Sequence, residues 1–284
     1  MPHDLTETER LALLDAVRES YLEIFPTATI ESKLDVLAPA SYIAVTCSPT
    51  KGVDETLDMS ERLADRGFRV VPHIAARMVR DRQHLREIIS RINKTPIVSV
   101  FVPGGDADQP LGQYGKALDL LRDLADIEHR FIEIGIGAHP EGHPVASDEE
   151  LLEQLLAKQE YANYLVTQMC FDAARIERWL RDVRAAGVRL DAWLGIPGAA
   201  DRAAIVEDVA AVVREPRKEA LGESAHRRAG GVAVVAAYLL VALLARHTRS
   251  LRVCETASPP TFYLPPEDVH PELLVPVEYR LTGG

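Results

Sequence analysis

Side chains that can bind or catalyse follow the strand-like runs of this chain. Residues 131–144, F-I-E-I-G-I-G-A-H-P-E-G-H-P, break from an alternating apolar run into a loop with histidines, prolines and a glutamate. P-G-G-D at 103–106 places two glycines and an acid after another run, which lets the backbone approach a flat or phosphorylated ligand. Glu23 interrupts the apolar run Y-L-E-I-F-P, so it either points into a cleft or is solvated on an edge strand. The pattern predicts a ligand site at strand ends.

The elements that would position these side chains alternate regularly. Seven β-rich runs, each ending in Gly, Pro, His, Cys or an acid, are followed by helical patterns. Strands are predicted at 21–26, 41–48, 68–78, 97–102, from 131, 164–172 and 190–196, and helices from Thr6, at 54–65, 81–92, 114–125, 151–161, 176–186 and 200–213. This alternation is typical of the α/β class and predicts a parallel (β/α)8 TIM-type barrel. Because an eighth strand is not clearly visible, we expect it to be atypical or missing.

Composition excludes several classes of partner. The chain has 284 residues, 47% of them hydrophobic, which is enough for one large domain, and its net charge of −11 disfavours nucleic acid or an anionic membrane as partner. Cys47, Cys170 and Cys254 lie far apart, which indicates neither a disulfide framework nor a metal site and fits a reducing cytoplasm. The polar N-terminus lacks a secretory signal, and the apolar run 232–245 suits a buried segment better than a membrane span.

Six motifs, in order, resemble the methylenetetrahydrofolate reductase family of flavin-dependent β/α barrels, over residues 21–201. They are Y-L-E-I-F-P, A-V-T-C, V-P-H-I, G-G-D, H-P-E-G-H-P and L-V-T-Q-M-C-F-D. Each falls at a predicted strand end, so the ordered set is far more specific than any single motif. The resemblance implies that the chain reduces 5,10-methylenetetrahydrofolate to 5-methyltetrahydrofolate with NAD(P)H through FAD, in the cytoplasmic one-carbon metabolism that supplies methionine biosynthesis.

The same resemblance implies a role for each motif residue. Glu23 would be the proton donor for opening the folate's five-membered ring, because burial lets a carboxyl hold its proton near neutral pH. Asp106 would be a second catalytic residue beside the flavin, and Gln168, Asp106 and Thr46 would contact the substrate. Contacts to the cofactor would come from Thr46, Cys47, His73, Gly104, Gly105, Asp106, Tyr114, His139, His143, Ala146 and Lys158. On the residues alone, structural roles for His73, His143 and Lys158 stay open.

Three departures from the family pattern bear on the flavin. Gly104 stands where relatives have the arginine of R-G-D, His139 replaces a tyrosine, and Ala157 precedes Lys158 where a second basic residue is common. A flavin-free NAD(P)H-dependent reductase therefore stays open, as do a catalytically inactive folate- or flavin-binding barrel and a different barrel enzyme. With no G-x-G-x-x-G in the sequence, NADH and NADPH are not distinguished, and a homo-oligomer is left open.

The C-terminal part does not continue this pattern. Residues 252–276 are similar to the first half of a small uncharacterised β-rich domain family with an E-T-x-x-P-P-T-x-Y signature. We therefore divide the chain into a reductase-like barrel at 1–214 and an atypical tail at 215–284. The apolar run 232–245 is expected to replace the last strand or to cover the open edge of the barrel.

Overall fold

A computed structural model describes residues 20–37, 40–170, 172–197 and 251–256, and eight strands in this part form one parallel sheet. The strands are β1 (Tyr21–Ile24), β2 (Tyr42–Val45), β3 (Arg69–Pro72), β4 (Ser99–Val102), β5 (Glu133–Ala138), β6 (Tyr164–Thr167), β7 (Asp191–Pro197) and β8 (Leu251–Thr256). Their order in the sheet is β3-β2-β1-β8-β7-β6-β5-β4. The predicted parallel α/β class is confirmed.

Helices connect most of these strands. They are α1 (Ile30–Lys33), α2 (Gly52–Asp65), α3 (Arg82–Ile92), α4 (Ala117–Ala125), α5 (Asp148–Lys158) and α6 (Ala173–Ala185). Asp81 caps α3 by accepting the His84 N–H, and Ser147 and Glu150 form a capping box at the start of α5. Within the described residues, no helix is long and apolar enough to cross a bilayer.

The two faces of the sheet bury different side chains. Alternate strand residues such as Leu22, Ile43 and Val100 pack with the apolar stripes of the helices in the larger core. The residues between them form a second, mainly aromatic cluster on the other face, which we call the aromatic face: Tyr21, Ala44, Val71, Tyr164, Val166 and Trp193, with Tyr42 and Phe101 packed against them. The sheet is therefore buried on both sides, as parallel sheets usually are.

Stacked rings hold the aromatic face together. The Tyr21 ring lies 4.1 Å from that of Trp193, and Tyr42 meets Tyr21 edge-on at 5.1 Å between ring centroids. Such pairs contribute roughly 0.5–1.5 kcal/mol each beyond simple burial. Gly135 makes room for this packing, because a Cβ there would overlap the Tyr164 ring.

Contacts also join the first and last strands of the order. The Ile74 N–H, just after β3, donates to the Phe101 carbonyl of β4 at 2.8 Å, and His73 forms a parallel bridge with Phe101. The His73 and Phe101 rings lie 4.6 Å apart. These contacts bring the carboxyl ends of β3 and β4 side by side.

The eighth strand comes from the tail. β8 pairs in parallel with β7 along its length and with β1 from Tyr21 to Glu23. Of the two alternatives for the eighth strand, the missing strand is wrong and the atypical strand holds, because β8 comes from beyond residue 214. Since β1 lies between β2 and β8, the edge-strand alternative for Glu23 is also wrong. The helices predicted from Thr6 and at 200–213, and the run 232–245, lie outside the described residues.

Several predicted boundaries change. The third strand ends at Pro72, and the Ala76–Met78 part of its predicted run is a 3₁₀ turn. The helix predicted from Tyr114 begins at Ala117, because Tyr114 belongs to a loop that packs against the core. Both errors arise because buried loop residues have the same apolar pattern as strands and helices.

Candidate active site

Polar side chains extend the aromatic face at the carboxyl ends of the strands. Glu23 follows Tyr21 by two positions, Thr46 follows Ala44, and His73 follows Val71, so strand alternation puts them on that face. The ladder continues to these residues, since the Thr46 and His73 N–H groups donate to the Ile24 and Val45 carbonyls at 2.9 Å each. We call these three residues, with Asp106, His139 and Gln168 from neighbouring strand ends, the strand-end site.

The Glu23 carboxyl changes charge near neutral pH. Burial, and secondarily the negative charge of Asp106, raise its pKa from 4.5 to about 7. Asp106 itself is exposed. A carboxyl group with this pKa is protonated in a large fraction of molecules at pH 7 and can donate a proton.

Thr46 carries an unsatisfied hydroxyl. Its side chain is buried, and among the residues that the structure describes its Oγ1 has no hydrogen-bond partner. The Thr46 carbonyl is satisfied, because it accepts from Thr56 Oγ1 at 2.8 Å. A buried hydroxyl without a partner costs about 1–3 kcal/mol, which indicates that a ligand or water completes it.

His73 is held neutral. It is buried against Phe101, and burial lowers the pKa of its imidazole from 6.5 to about 3. A neutral imidazole offers one donor and one acceptor. His73 can therefore hydrogen-bond a polar heterocycle without adding charge beside Glu23.

A basic group lies at the end of β5. Lys158, the last residue of α5, donates from Nζ to the Gly137 carbonyl at 2.9 Å, and burial lowers its pKa from 10.5 to about 8. The solvated-helix alternative for Lys158 is therefore wrong. Burial, followed by the positive charges of His143 and Lys158, lowers the pKa of His139 to about 4. The His139 and His143 rings meet edge-on at 5.0 Å.

His143 also has a local structural role. The Val145 N–H donates to its Nδ1 at 3.4 Å, and His143 pairs with Ala146 in an antiparallel bridge. The loop-cap alternative thus has geometric support. Among the residues that the structure describes, His143 Nε2 has no hydrogen-bond partner, and the His143–Ala146 turn leads into the N-terminus of α5.

The G-G-D loop shows different roles for its two glycines. Gly105 has φ of +94°, and a Cβ there would lie 3.0 Å from the Ala75 Cβ, so this position requires glycine. The close approach that Gly105 permits is therefore to the segment after β3, and the approach of this loop to a ligand stays a prediction. A Cβ at Gly104 would meet nothing within 4 Å, so the space around this position is open.

The remaining predicted residues are Gln168, Cys47 and Tyr114, which differ in exposure and in what their polar atoms contact. The Gln168 side chain is exposed at the end of β6, and the backbone N–H of Gln168 donates to the Ala138 carbonyl at 2.7 Å. Cys47 packs partly buried against the larger core, and burial raises the pKa of its thiol. Tyr114 is buried with its hydroxyl donated to Asp123 at 2.6 Å, a structural role that leaves little for a ligand.

Two arginines that were not among the predicted site residues hold the loops of this site. Arg77 donates from its guanidinium to backbone carbonyls of the loop that carries Asp106, and Arg175 donates from Nε to the Pro140 carbonyl at 2.9 Å. A usable signal was the position of Arg77 inside the run V-P-H-I-A-A-R-M, where a basic residue interrupts apolar residues.

A parallel β/α sheet with a titratable acid and an unsatisfied buried hydroxyl at neighbouring strand ends is typical of enzymes of the α/β class, which bind small molecules at that edge. Residues 28–198, more than half of the chain, match the family model described as methylenetetrahydrofolate reductase. The chain belongs to the methylenetetrahydrofolate reductase family. Residues 232–282 match the model described as a domain of unknown function, DUF427, which confirms that the tail resembles a different family.

Curated relatives match over short stretches. A probable methylenetetrahydrofolate reductase (NADPH) from Caenorhabditis elegans is 35% identical over 75 residues, covering 26% of this chain and 11% of the relative. Methylenetetrahydrofolate reductase 1 from Schizosaccharomyces pombe is 34% identical over 98 residues, covering 33% of this chain and 16% of the relative. The matched part therefore spans less than a fifth of either relative.

Among solved structures, the chain is similar to a 2,3-dimethylmalate lyase of the PEP mutase/isocitrate lyase superfamily. The TM-score is 0.46 at 11% sequence identity, covering 72% of this chain and 76% of the lyase chain. At that level the likeness carries no functional argument.

Proposed function

We propose that this protein reduces 5,10-methylenetetrahydrofolate to 5-methyltetrahydrofolate with NAD(P)H. The observation that carries the proposal is Glu23, a partly buried carboxyl with a pKa of about 7, at a strand end of a chain that belongs to this family. The reaction consumes one proton and one hydride per turnover. Glu23 would supply the proton to the ring nitrogen that leaves when the five-membered ring opens.

The residues present fit FAD, the family's cofactor. The unsatisfied Thr46 hydroxyl and neutral His73 offer hydrogen bonds to a polar ring system, and Lys158 offers a cation to a diphosphate. When bound, FAD would accept hydride from NAD(P)H and pass it to the one-carbon unit. We propose Thr46, His73, Gly104, Gly105, Asp106, His139, His143, Ala146 and Lys158 as its contacts. Tyr114 and Cys47 are left out because their polar atoms face the protein interior.

The other strand-end residues would bind and orient the substrate. Asp106, whose charge already raises the pKa of Glu23, would accept hydrogen bonds from the pterin ring and keep Glu23 protonated until ring opening. Gln168 is exposed at the end of β6, where its amide can donate and accept toward a heterocycle. His73 would remain neutral throughout the reaction, so that Glu23 stays the proton donor.

We further propose that the sheet closes into a TIM-type barrel. The Ile74 to Phe101 hydrogen bond joins the two end strands of the order, β3 and β4, and β8 fills the position between β7 and β1. Both contacts support a closed barrel without edge strands. The tail would then belong structurally to the barrel, and residue 214 would not separate two independent domains.

A second candidate is a flavin-free reductase that passes hydride from NAD(P)H directly to the folate. The open space at Gly104 favours it, because a cationic contact of the family is absent there. Purified full-length protein should be assayed with each nicotinamide and methylenetetrahydrofolate, with 5-methyltetrahydrofolate identified as product. Product only after FAD is supplied supports the first candidate, and product without flavin supports the second. Absence of product under both conditions would exclude both and leave an inactive binding protein.

A further inference from the structure

Arg77 joins the segment after β3 to the loop that carries Asp106. Its Nε donates to the Ala107 carbonyl at 2.7 Å, Nη2 to the Asp108 carbonyl at 2.8 Å, and Nη1 to the Gly115 carbonyl at 3.2 Å. One half-buried guanidinium thus binds three backbone carbonyls that follow Asp106 in the chain. A planar group with five donors suits this task, whereas a lysine ammonium does not.

The backbone of Arg77 contacts the same loop both before and after Asp106. Its N–H donates to the Gly104 carbonyl at 3.0 Å, and its carbonyl accepts from the Leu111 N–H at 2.8 Å. Gly105 packs against the Ala75 Cβ in this interface. The loop residues before and after Asp106 therefore both contact residues 75–77.

The carboxylate of Asp106 has no support of its own. In the part of the chain that the structure describes, no side-chain hydrogen bond holds it, and the side chain is exposed. The position of the Asp106 backbone, from which this side chain extends, is therefore set by the loop contacts.

We propose that Arg77 is a positioning residue that fixes Asp106 relative to Glu23 and so tunes the proton donor. This role rests on the proposed function, because it matters for turnover only if Glu23 supplies the proton. Arg77 touches neither reacting atoms nor substrate in this scheme. A misplacement of about 1 Å in such a loop can lower catalysis roughly a hundred-fold.

The test measures the titration of Glu23 directly in the cofactor-free full-length protein, by NMR of carboxyl-labelled glutamate. Glu23→Gln assigns the signal. Both Asp106→Asn and Arg77→Ala should lower the pKa of Glu23 from about 7, while burial keeps it above 4.5, and the double variant should lower it no further than Asp106→Asn alone. His73, neutral above about pH 3, adds no charge over this range.

Arg184→Ala is the matched control. Arg184 also donates to two backbone carbonyls, those of Val188 and Leu190, but at the opposite end of the sheet. Arg184→Ala should lower the free energy of unfolding about as much as Arg77→Ala does, but it should leave the pKa of Glu23 unchanged. If Arg77→Ala does not fold, Arg77→Lys, which keeps the charge but cannot bridge three carbonyls, gives the same comparison.

An unchanged Glu23 pKa in the Arg77 variants, beside a lowered pKa in Asp106→Asn, would overturn the positioning role. An unchanged pKa in Asp106→Asn would overturn it as well, because the two carboxyl groups would not be coupled. Neither result depends on turnover, so failure of the proposed reaction is recognised separately by the absence of 5-methyltetrahydrofolate.

Discussion

Asp106 lies close enough to Glu23 for its charge to add to the effect of burial on the Glu23 pKa, which reaches about 7. The two carboxyl groups come from different strand ends, β1 and the loop after β4. A buried carboxyl whose pKa is raised by burial and by a neighbouring charge is typical of proton-transfer sites.

Glu23→Gln should abolish folate reduction while sparing the other half of the reaction. Glutamine preserves the shape of the side chain but cannot donate the proton, so reduction of methylenetetrahydrofolate should fall by roughly 10²–10⁴-fold. NAD(P)H oxidation with an artificial electron acceptor should persist. Glu133→Gln is the control. Glu133 is the first residue of β5, at the end of the sheet away from the strand-end site, so this variant should change neither rate. Unchanged folate turnover in Glu23→Gln would remove this residue from the acid role.

The folate step should slow as pH rises through about 7, because only protonated Glu23 can donate. Asp106→Asn removes a negative charge that raises the Glu23 pKa, so this alkaline limb should move to lower pH. The measurement is a pH profile of single-turnover folate reduction for both proteins. A limb that stays at the same pH in Asp106→Asn would mean that another group controls it.

Thr46→Val should stabilise the unliganded protein and weaken ligand binding. Removing an unsatisfied buried hydroxyl should raise the free energy of unfolding by about 1–3 kcal/mol, while the ligand loses a hydrogen bond. Denaturant unfolding and flavin fluorescence titration measure the two effects. Thr56→Val is the matched control: its hydroxyl donates to the Thr46 and Gly52 carbonyls, so this variant should be destabilised. Equal destabilisation by both substitutions would show that Thr46 is satisfied internally.

Gly104→Arg should add a cation beside the proposed flavin site and tighten flavin binding by about ten-fold, equivalent to about 1.4 kcal/mol. The position has open space around a Cβ, so folding should be unaffected. Gly105→Ala is the contrasting variant and should unfold at lower temperature, because φ is +94° and Ala75 lies 3.0 Å from the new Cβ. An unchanged flavin Kd in a folded Gly104→Arg protein would place the diphosphate elsewhere.

Truncation should show that the tail is part of the sheet. A chain ending at residue 214 lacks β8 and leaves β1 and β7 with unpaired edges, so it should aggregate or lose cooperative unfolding. A chain ending at residue 256 keeps β8 and should remain monodisperse. Size-exclusion chromatography and limited proteolysis compare them. Equal behaviour of the two truncated chains would mean that β8 contributes nothing to closure.

The fold was predictable where the local pattern and the tertiary environment agree. Runs such as Y-L-E-I and S-V-F-V are short, β-rich and followed by amphipathic helices, so their order and parallel arrangement follow from the sequence. β8 was not predictable, because its residues resemble another family and only pairing with β7 and β1 defines it as the last strand.

The candidate site was predictable as a set of residue types but not as a set of interactions. Motif order placed Glu23, Thr46 and His73 at strand ends, where the structure has them. The unsatisfied Thr46 hydroxyl and the three Arg77 contacts could not be predicted, because both depend on backbone groups distant in sequence. A residue that acts through carbonyl oxygens leaves no motif, since any residue supplies a carbonyl.

The central claim is tested most directly by the visible absorption spectrum of the full-length protein, reconstituted with FAD and titrated anaerobically. We predict a flavin band that bleaches on adding NADH or NADPH and recovers on adding methylenetetrahydrofolate, with 5-methyltetrahydrofolate formed in equal amount. Bleaching by NAD(P)H without recovery on adding the folate would contradict the proposed reaction.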